Sequence, residues 1–279
     1  YHTSEYKMQE SKKINDNIAF SGLAHPSVSV ITVVLNGEKY IEDTIKSIVH
    51  QKNEDIEYIV IDGGSSDGTL EIINKYKSCI DHFISEQDEG IYDAMNKGAL
   101  LASGKYICFL NASDIYFKNA LLKVVKMAQR NNFDYYVAPA VIRDKNNQDL
   151  RIRYPLNNFV YQKGTYMGMP APHLSVFVKK TIFLDLGGYD LNFKISSDYD
   201  FLLRLAEKYK NISYGEEPIG AFRLGGLSSS YKIYFENFFI GIKHDVPKLQ
   251  MALITAWYLF RNLLRITLPN KITKILSKN

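Results

Sequence analysis

The sequence predicts an α/β domain built on a mainly parallel sheet, with helices against both faces. Two observations carry this expectation. Between about residues 27 and 110, short β-branched or aromatic runs alternate with segments of helical apolar period, the pattern of βαβ units. The first run, Ser27 to Leu35, has almost no polar break, as suits a strand whose sheet is covered on both sides. Such sheets bind ligands beyond the C-terminal ends of their strands.

Taken in order, residues 1–24 are polar, lack a sustained period and are expected to form a loosely held arm. Pro26 introduces the first strand, Asn36-Gly37 ends it, and Ile41, Ile45, Ile48 and Val49 recur at helical spacing. A second strand, Glu57 to Ile61, runs into the turn-rich Asp62-Gly-Gly-Ser-Ser-Asp-Gly68 and a helix over about 69–76. A third, His82 to Ser85, leads through Glu86-Gln-Asp-Glu-Gly90 to a helix over about 92–101, and Tyr106 to Leu110 is the fourth. The loops after these strands, including Asn111 to Asp114, fall along one rim. The pattern then loosens into a helix over about 118–131, one strand from Tyr135 to Ile142, and an irregular stretch to Pro172. A strand at Leu174 to Val178, a short helix into Leu186 and a turn at Gly187-Gly188 follow. Ser197-Asp-Tyr-Asp200 opens a helix to about Lys208, and the remainder beyond Tyr231 is helical with breaks at Pro247 and Pro269.

Composition narrows the function classes. With 46% apolar and 23% charged residues over 279 positions, the chain is globular rather than disordered or fibrous. Two cysteines, Cys79 and Cys108, support neither a disulfide framework nor a metal site of their own, and suit a reduced, cytoplasmic protein. No basic segment followed by an apolar core opens the sequence, so no secretory signal is expected. The net charge of +4 is unevenly placed: from Tyr231 onward eight Lys or Arg face two acids, giving +6, so residues 1–230 carry −2. A nucleic-acid partner is therefore not expected, because the main domain lacks a basic surface.

Two phosphate motifs fail. Gly63-Gly-Ser-Ser-Asp-Gly68 follows a strand but is not the dinucleotide-binding G-x-G-x-x-G. Gly98 to Gly104-Lys105 has five intervening residues where a P-loop has four, and it precedes a strand instead of following one. Asp114 fares better. It stands just past an apolar strand in Phe-Leu-Asn-Ala-Ser-Asp, where a carboxylate can hold Mg²⁺ or Mn²⁺ against the phosphates of a nucleotide. Capping of the following helix is an equal alternative on this residue alone.

Seven segments then occur in an order that resembles the family 2 inverting glycosyltransferases, whose nucleotide-sugar-binding domain has the GT-A fold. They are Val-Ile-Thr-Val-Val-Leu-Asn36; Val-Ile-Asp62-Gly-Gly-Ser-Ser-Asp67-Gly-Thr; Asp88-Glu-Gly-Ile-Tyr-Asp-Ala-Met-Asn96-Lys-Gly; Phe-Leu-Asn111-Ala-Ser-Asp114; His173-Leu-Ser-Val-Phe with Gly188-Tyr; Ser-Asp198-Tyr-Asp-Phe-Leu-Leu-Arg204; and Phe-Arg223-Leu-Gly-Gly-Leu-Ser228. The likeness spans about residues 26–230. It implies a catalytic domain over 25–230, with a nucleotide-binding part to about 117 and an acceptor part beyond it, followed by a basic helical extension over 231–279.

The resemblance implies roles for individual residues. Val33, Leu35 and Glu38 fall where the family cradles the nucleotide base, and Asp62 is the acid after the second strand. Gly63 occupies the place of a second base-reading acid, and Ser113 that of the first acid of the metal motif, leaving Asp114 as the metal ligand. Asp198 matches the general base. A single base suffices for inverting transfer, whereas glycoside hydrolysis commonly employs two facing carboxylates. Asp200 is its competitor, because two residues apart at a helix start the two cannot point the same way.

His173 is either a sugar contact or a hydrogen-bonded strand-edge histidine. Arg223, beside Gly225-Gly226, is either a phosphate ligand on a closing loop or a surface arginine. Asp88, Tyr92 and Lys97 are expected on the donor side.

The basic tail, with Trp257-Tyr258 amid apolar residues, can lie on a membrane surface through 248–279 or pack on the domain or on a second copy, and packing is the favoured of these. Its 12-residue uncharged stretch, Leu249 to Phe260, is too short to span a bilayer. The expected activity is transfer of a sugar from a UDP- or GDP-sugar to a glycan or lipid-linked acceptor in surface-polysaccharide assembly. This would take place in the cytoplasm or peripherally on the inner face of the cell membrane. A non-catalytic nucleotide-sugar-binding scaffold and a nucleotidyltransferase are the rival readings.

Overall fold

The computed structural model describes residues 26–156, 169–225 and 231–267. The expected arm, Gly226 and Ser228 of the last family segment, part of the irregular stretch before Pro172, and Pro269 with the end of the tail lie outside the described residues. A seven-stranded sheet has the order β10-β6-β9-β4-β1-β2-β3. Its strands are β1 (Val28–Val34), β2 (Ile56–Asp62), β3 (His82–Ser85), β4 (Tyr106–Phe109), β6 (Tyr135–Val137), β9 (Val176–Lys179) and β10 (Ile212–Tyr214). The four strands expected from the βαβ pattern pair in parallel, with β1 between β2 and β4 and β3 at the edge. Strand β9 runs antiparallel between β4 and β6. A second sheet, ordered β5-β11-β7-β8, is formed by β5 (Ile115–Tyr116), β7 (Ala140–Arg143), β8 (Asp149–Arg153) and β11 (Gly220–Arg223).

Every residue of β1 and of β2 is buried, which is what an apolar run without alternation implies. Alternate residues serve two cores. Val28, Val30, Val34, Tyr58 and Val60 pack with helices α1 (Ile41–Val49) and α4 (Ala120–Arg130). Ile31, Val33, Ile59 and Ile61 pack on the other face, with α3 (Ile91–Leu101), α5 (Lys180–Asp185) and α6 (Ser197–Lys208). The remaining helix of this part, α2 (Thr69–Lys75), follows the loop after β2.

One expectation is corrected. Tyr135 to Ile142 is not a single strand: β6 belongs to the large sheet and β7 to the small one. Pro139 stands between them, and a residue without an N–H cannot extend a ladder, so the chain changes sheets there.

The last two helices, α7 (Lys232–Lys243) and α8 (Lys248–Thr267), form a pair broken at Pro247. Tyr234 of α7 stacks on Tyr258 of α8 with ring centroids 5.8 Å apart. Helix α7 also docks on α6 through Ile240, which is buried with Tyr199 and Leu203. None of the described helices is long and apolar enough to cross a membrane.

Candidate active site

The loops after β1 and β2 are stitched together at the C-terminal rim. Asn36 accepts from the Ser66 N–H (2.9 Å) and offers its own N–H to the Ser65 hydroxyl (2.8 Å). Asn36 adopts φ 51°, a left-handed conformation that asparagine tolerates and that turns the chain off the strand. The Glu38 N–H donates to Asp67, and the Glu38 carboxylate accepts from the Gly68 N–H at 3.2 Å. Beneath them Asp62 is wholly buried. Its Oδ2 accepts from Gly64 N–H, Ser65 N–H and the Ser85 hydroxyl, while its Oδ1 is a buried acceptor without a protein partner.

Gly63 is where the family resemblance implies a second acid, and the structure shows what takes that space. A Cβ built on Gly63 would lie 2.3 Å from Asp88 Oδ2, so the Asp88 carboxylate from the third rim loop fills the position. Asp88 also accepts from the Gly90 N–H at 2.9 Å. Of the expected base contacts, Val33 is 4% exposed and belongs to the α3-side core, whereas Leu35 is 57% exposed and is the apolar side chain the rim presents. Lys97 is engaged by Glu86 (2.8 Å) and Asp93 (3.1 Å).

After β4, Asn111 to Asp114 forms a tight turn in which the Asp114 N–H donates to the Asn111 carbonyl at 2.9 Å. Asp114 is buried. Burial pushes its carboxyl up to about 7, against the opposing influence of the Arg223 N–H and the Ser113 hydroxyl, both 3.3 Å from Oδ1. Nearby in sequence, Asn111 Oδ1 is a second buried acceptor without a partner. No group of three or more His, Cys, Asp or Glu that could hold a metal exists among the described residues. The rim therefore offers hard oxygen donors from Asp114 and Asn111, and a divalent cation bound there needs further oxygens from outside the chain. Such a donor set suits Mg²⁺ or Mn²⁺ shared with a diphosphate.

Arg223 sits at the end of β11, with its guanidinium 4.2 Å from the centre of the Tyr40 ring and a hydrogen bond to Asn147. A cleft lined by Tyr40, Ser113, Arg143, Asn147 and Arg223 opens beside Asp114. The Nε of Arg223 is a buried donor without a partner.

The candidate base lies on α6. Asp198 is half-buried, and Oδ1 is 2.9 Å from both the Tyr92 hydroxyl and the Tyr199 N–H. Among the described residues Asp198 Oδ2 accepts no hydrogen bond. Tyr92, expected on the donor side, is buried and turns to Asp198 instead; its hydroxyl is also 2.7 Å from the Ile195 carbonyl. Burial and the Asp198 charge raise the Tyr92 phenol well above its ordinary pKa, so it stays a neutral donor.

Asp198 does not cap α6 in the usual manner, since no side chain makes a cap hydrogen bond there. Asp200 has a different set of partners. It is fully buried, 2.8 Å from Arg204, 2.9 Å from Lys243 and 3.1 Å from His244. Burial works to raise its pKa, but the His244 hydrogen bond and the charges of Arg204 and Lys243 outweigh it and hold the carboxyl well below its ordinary range. Asp200 is thus engaged in an internal ion cluster, and the acceptor-side position expected for it is not where the structure puts it.

His173 joins this region. Its Nε2 is 2.8 Å from the Tyr189 hydroxyl and its ring stacks on Phe109, at the end of β4. Burial lowers its pKa, partly countered by the Asp198 charge. Tyr189 is held by a two-way amide clamp: Asn96 donates to its carbonyl and accepts from its N–H, each at 2.9 Å. Sequence reasoning passed over Asn96, Asn111, Tyr189 and Arg153, the last lying within the electrostatic reach of Asp198. Asn96, Asn111 and Tyr189 fall inside the family segments and were findable there; Arg153 lies in the irregular stretch, outside them.

Comparison with known proteins bears on the family and the fold. The family description "Glycosyl transferase family 2" matches residues 29–183. A PGL/p-HBAD biosynthesis glycosyltransferase of Mycobacterium tuberculosis is 28% identical over 221 residues, covering 75% of this chain and 81% of its own. An uncharacterised glycosyltransferase of the same species is 32% identical over 182 residues, covering 65% and 69%. Among solved structures, S. aureus TarS 1–349 in complex with UDP-GlcNAc superposes with TM-score 0.61 at 16% identity, covering 88% of this chain and 77% of that one. The mannosyltransferase PcManGT of Pyrobaculum calidifontis, in complex with GDP-Man and Mn²⁺, gives TM-score 0.59 at 12% identity, covering 99% and 90%. The fold is therefore the α/β nucleotide-sugar-binding fold of GT-A glycosyltransferases, and the chain belongs to glycosyltransferase family 2.

Proposed function

We propose that this glycosyltransferase is an inverting, metal-dependent enzyme that moves a sugar from a nucleotide-diphosphate donor to a hydroxyl of a glycan or lipid-linked acceptor. The observation that carries it is the Asp198 carboxylate, fixed through Oδ1 by Tyr92 and a backbone N–H, while Oδ2 accepts no hydrogen bond from any described residue. A base so held can take the proton of an acceptor hydroxyl. The hydroxyl oxygen then bonds to the anomeric carbon as the bond from that carbon to the diphosphate oxygen breaks, and a nucleoside diphosphate leaves.

On the donor side, Leu35, Asp62 and Asp88 seat the base and ribose, with Glu38 bracing the loop. Arg223 and Ser113 flank the diphosphate beside Asp114. Asp114 and Asn111 would hold Mg²⁺ or Mn²⁺, which neutralises charge on the leaving phosphates when bound. His173, with Tyr189, lines the acceptor side next to Asp198. UDP and GDP sugars are the favoured donors, as the two structural relatives are in complex with UDP-GlcNAc and GDP-Man.

The test is a thermal-shift panel of UDP, GDP, dTDP, CDP and ADP, each with and without Mn²⁺. One nucleotide at a hundred times its dissociation constant should add about 2.7 kcal/mol of stability, more with Mn²⁺ than without. No shift with any of them would remove the donor from this reading.

The nucleotide-binding part is assigned to about 25–117 and the acceptor part to about 118–230. The extension beyond 231 supplies a surface. Leu249, Leu253, Trp257 and Phe260 are exposed at helical spacing on one face of α8. With the +6 charge of residues 231–279, the stripe suits an anionic lipid surface on the cytoplasmic side and an acceptor used in surface-polysaccharide assembly. The full chain is expected to float with phosphatidylglycerol vesicles but not with phosphatidylcholine, and Leu253→Ser with Trp257→Ser should weaken binding about tenfold or more. Self-association in sedimentation without vesicle binding would assign the stripe to a second copy of the chain.

A further inference from the structure

Glu236 lies in the basic extension, 38 residues beyond Asp198, and carries no sequence signal of a role at the site. Its carboxylate accepts three successive backbone N–H groups, those of Lys194, Ile195 and Ser196, each at 2.9 Å. These residues form the loop that enters α6 and end at its N-cap, Ser196, two residues before Asp198. N–H groups at a helix entrance have no partner within the helix, and a carboxylate receiving several of them makes charge-assisted bonds.

The same loop is held from its other side. The Ile195 carbonyl lies 2.7 Å from the Tyr92 hydroxyl, which is also 2.9 Å from Asp198 Oδ1. Lys194 further donates to the Glu89 carbonyl of the third rim loop at 3.3 Å. Helix α7, which delivers Glu236, is itself anchored. Ile240 is buried against Tyr199 and Leu203, Lys243 bridges Asp190 and Asp200 at 2.9 Å each, and His244 reaches Asp200.

We propose that Glu236 is a positioning residue for Asp198, acting through the 194–196 loop, so that the first helix of the extension is part of the catalytic unit. This rests on the reading of Asp198 as the base. The loop has two fixed edges, a carboxylate on its N–H side and a phenol on its C=O side. The phenol is shared with the Asp198 carboxylate, so a loop that slides carries Tyr92 and Asp198 out of register together.

The test uses the full chain and reads nucleoside-diphosphate release from the sugar nucleotide that the panel selects, with water standing in for the acceptor. Glu236→Gln keeps the size of the side chain but sets an amide NH₂ against backbone N–H donors. Turnover is expected to fall ten- to a hundredfold, in keeping with an ångström-scale misplacement, with the KM for the donor unchanged within about twofold. Amide exchange of residues 194–196 should quicken in the same variant.

The discriminating arm is the double variant. In an Asp198→Asn background Glu236→Gln should cost nothing further, because a residue that acts through Asp198 has nothing left to position. An equal loss in both backgrounds, or unchanged turnover in the single variant, overturns the proposal while leaving Asp198 as the base. Full turnover in Asp198→Asn overturns the base reading itself and this proposal with it. Should Glu236→Gln also lose the nucleotide-induced thermal shift, Glu236→Asp keeps the acceptor oxygens on a shorter arm. Turnover lost with donor KM kept then supports the proposal, and joint loss of turnover and nucleotide binding in both variants overturns it.

Discussion

Asp198→Asn is expected to lower turnover by about 10²- to 10⁴-fold, the usual contribution of a positioned general base and equivalent to about 3–5 kcal/mol of barrier. The substitution is nearly isosteric. Asparagine can still accept from Tyr92 and Tyr199 through its carbonyl oxygen, so the start of α6 should keep its shape. What is lost is the second oxygen as a proton acceptor. Nucleotide binding, measured as the thermal shift with the selected nucleoside diphosphate and Mn²⁺, should match the wild type because Asp62, Asp88 and Asp114 are untouched. That pairing, turnover gone and binding kept, separates an enzyme from a nucleotide-sugar-binding scaffold. A variant that kept its turnover would leave the protein without a base at this position.

Asp114→Ala acts on the other side of the reaction. The Mn²⁺-dependent part of nucleotide stabilisation is expected to vanish. At saturating ligand this is a large fraction of about 2.7 kcal/mol, or several degrees in Tm for a domain of this size. The reason lies in how little else the chain offers a cation: among the described residues no cluster of three ligand side chains exists, and Asp114 is the buried carboxylate at the end of β4. Arg223 and Ser113 remain beside the phosphates in this variant, so some nucleotide affinity without metal should survive. Retention of the full Mn²⁺ effect would move the metal site elsewhere.

The contrast between Asp198 and Asp200 shows how the site is built. The two acids are two residues apart on α6, and each has a different neighbour: Tyr92 for the first, and Arg204, Lys243 and His244 for the second. Asp200 is wholly buried and balanced by cations, an arrangement that becomes strongly destabilised when one partner is removed. Asp198 is half-buried, and its Oδ2 accepts no hydrogen bond from the described residues. Their helical offset separates two roles on one turn: the proposed base and the anchor of α7.

Much of this was legible in the sequence alone. Continuous apolar runs announced β1 and β2 as central strands, because burial on both faces leaves no place for a polar alternation. The order of the rim segments announced the family: Asp62 closes β2, Asp88 and Asp114 stand on the loops after β3 and β4, and Asp198 stands at the start of α6. Local chemistry sufficed for these features, since turn residues, strand patterning and short motifs act over a few positions.

Tertiary structure decided the rest. Val33 is buried in the core and Leu35 is exposed at the rim although residues two apart share a strand face, because β1 ends at Val34 and Leu35 lies past the covered part of the sheet. The space beside Gly63 is filled by Asp88, 25 residues away, and the phenol of Tyr92 meets a carboxylate 106 residues on. Glu236 joins the loop before Asp198 only because Ile240, Lys243 and His244 dock α7 on α6. Pattern along the chain determined which segments become strands, helices and rim loops. Which side chains meet was determined by packing between distant segments, because a buried charge or N–H group must find its partners within the protein.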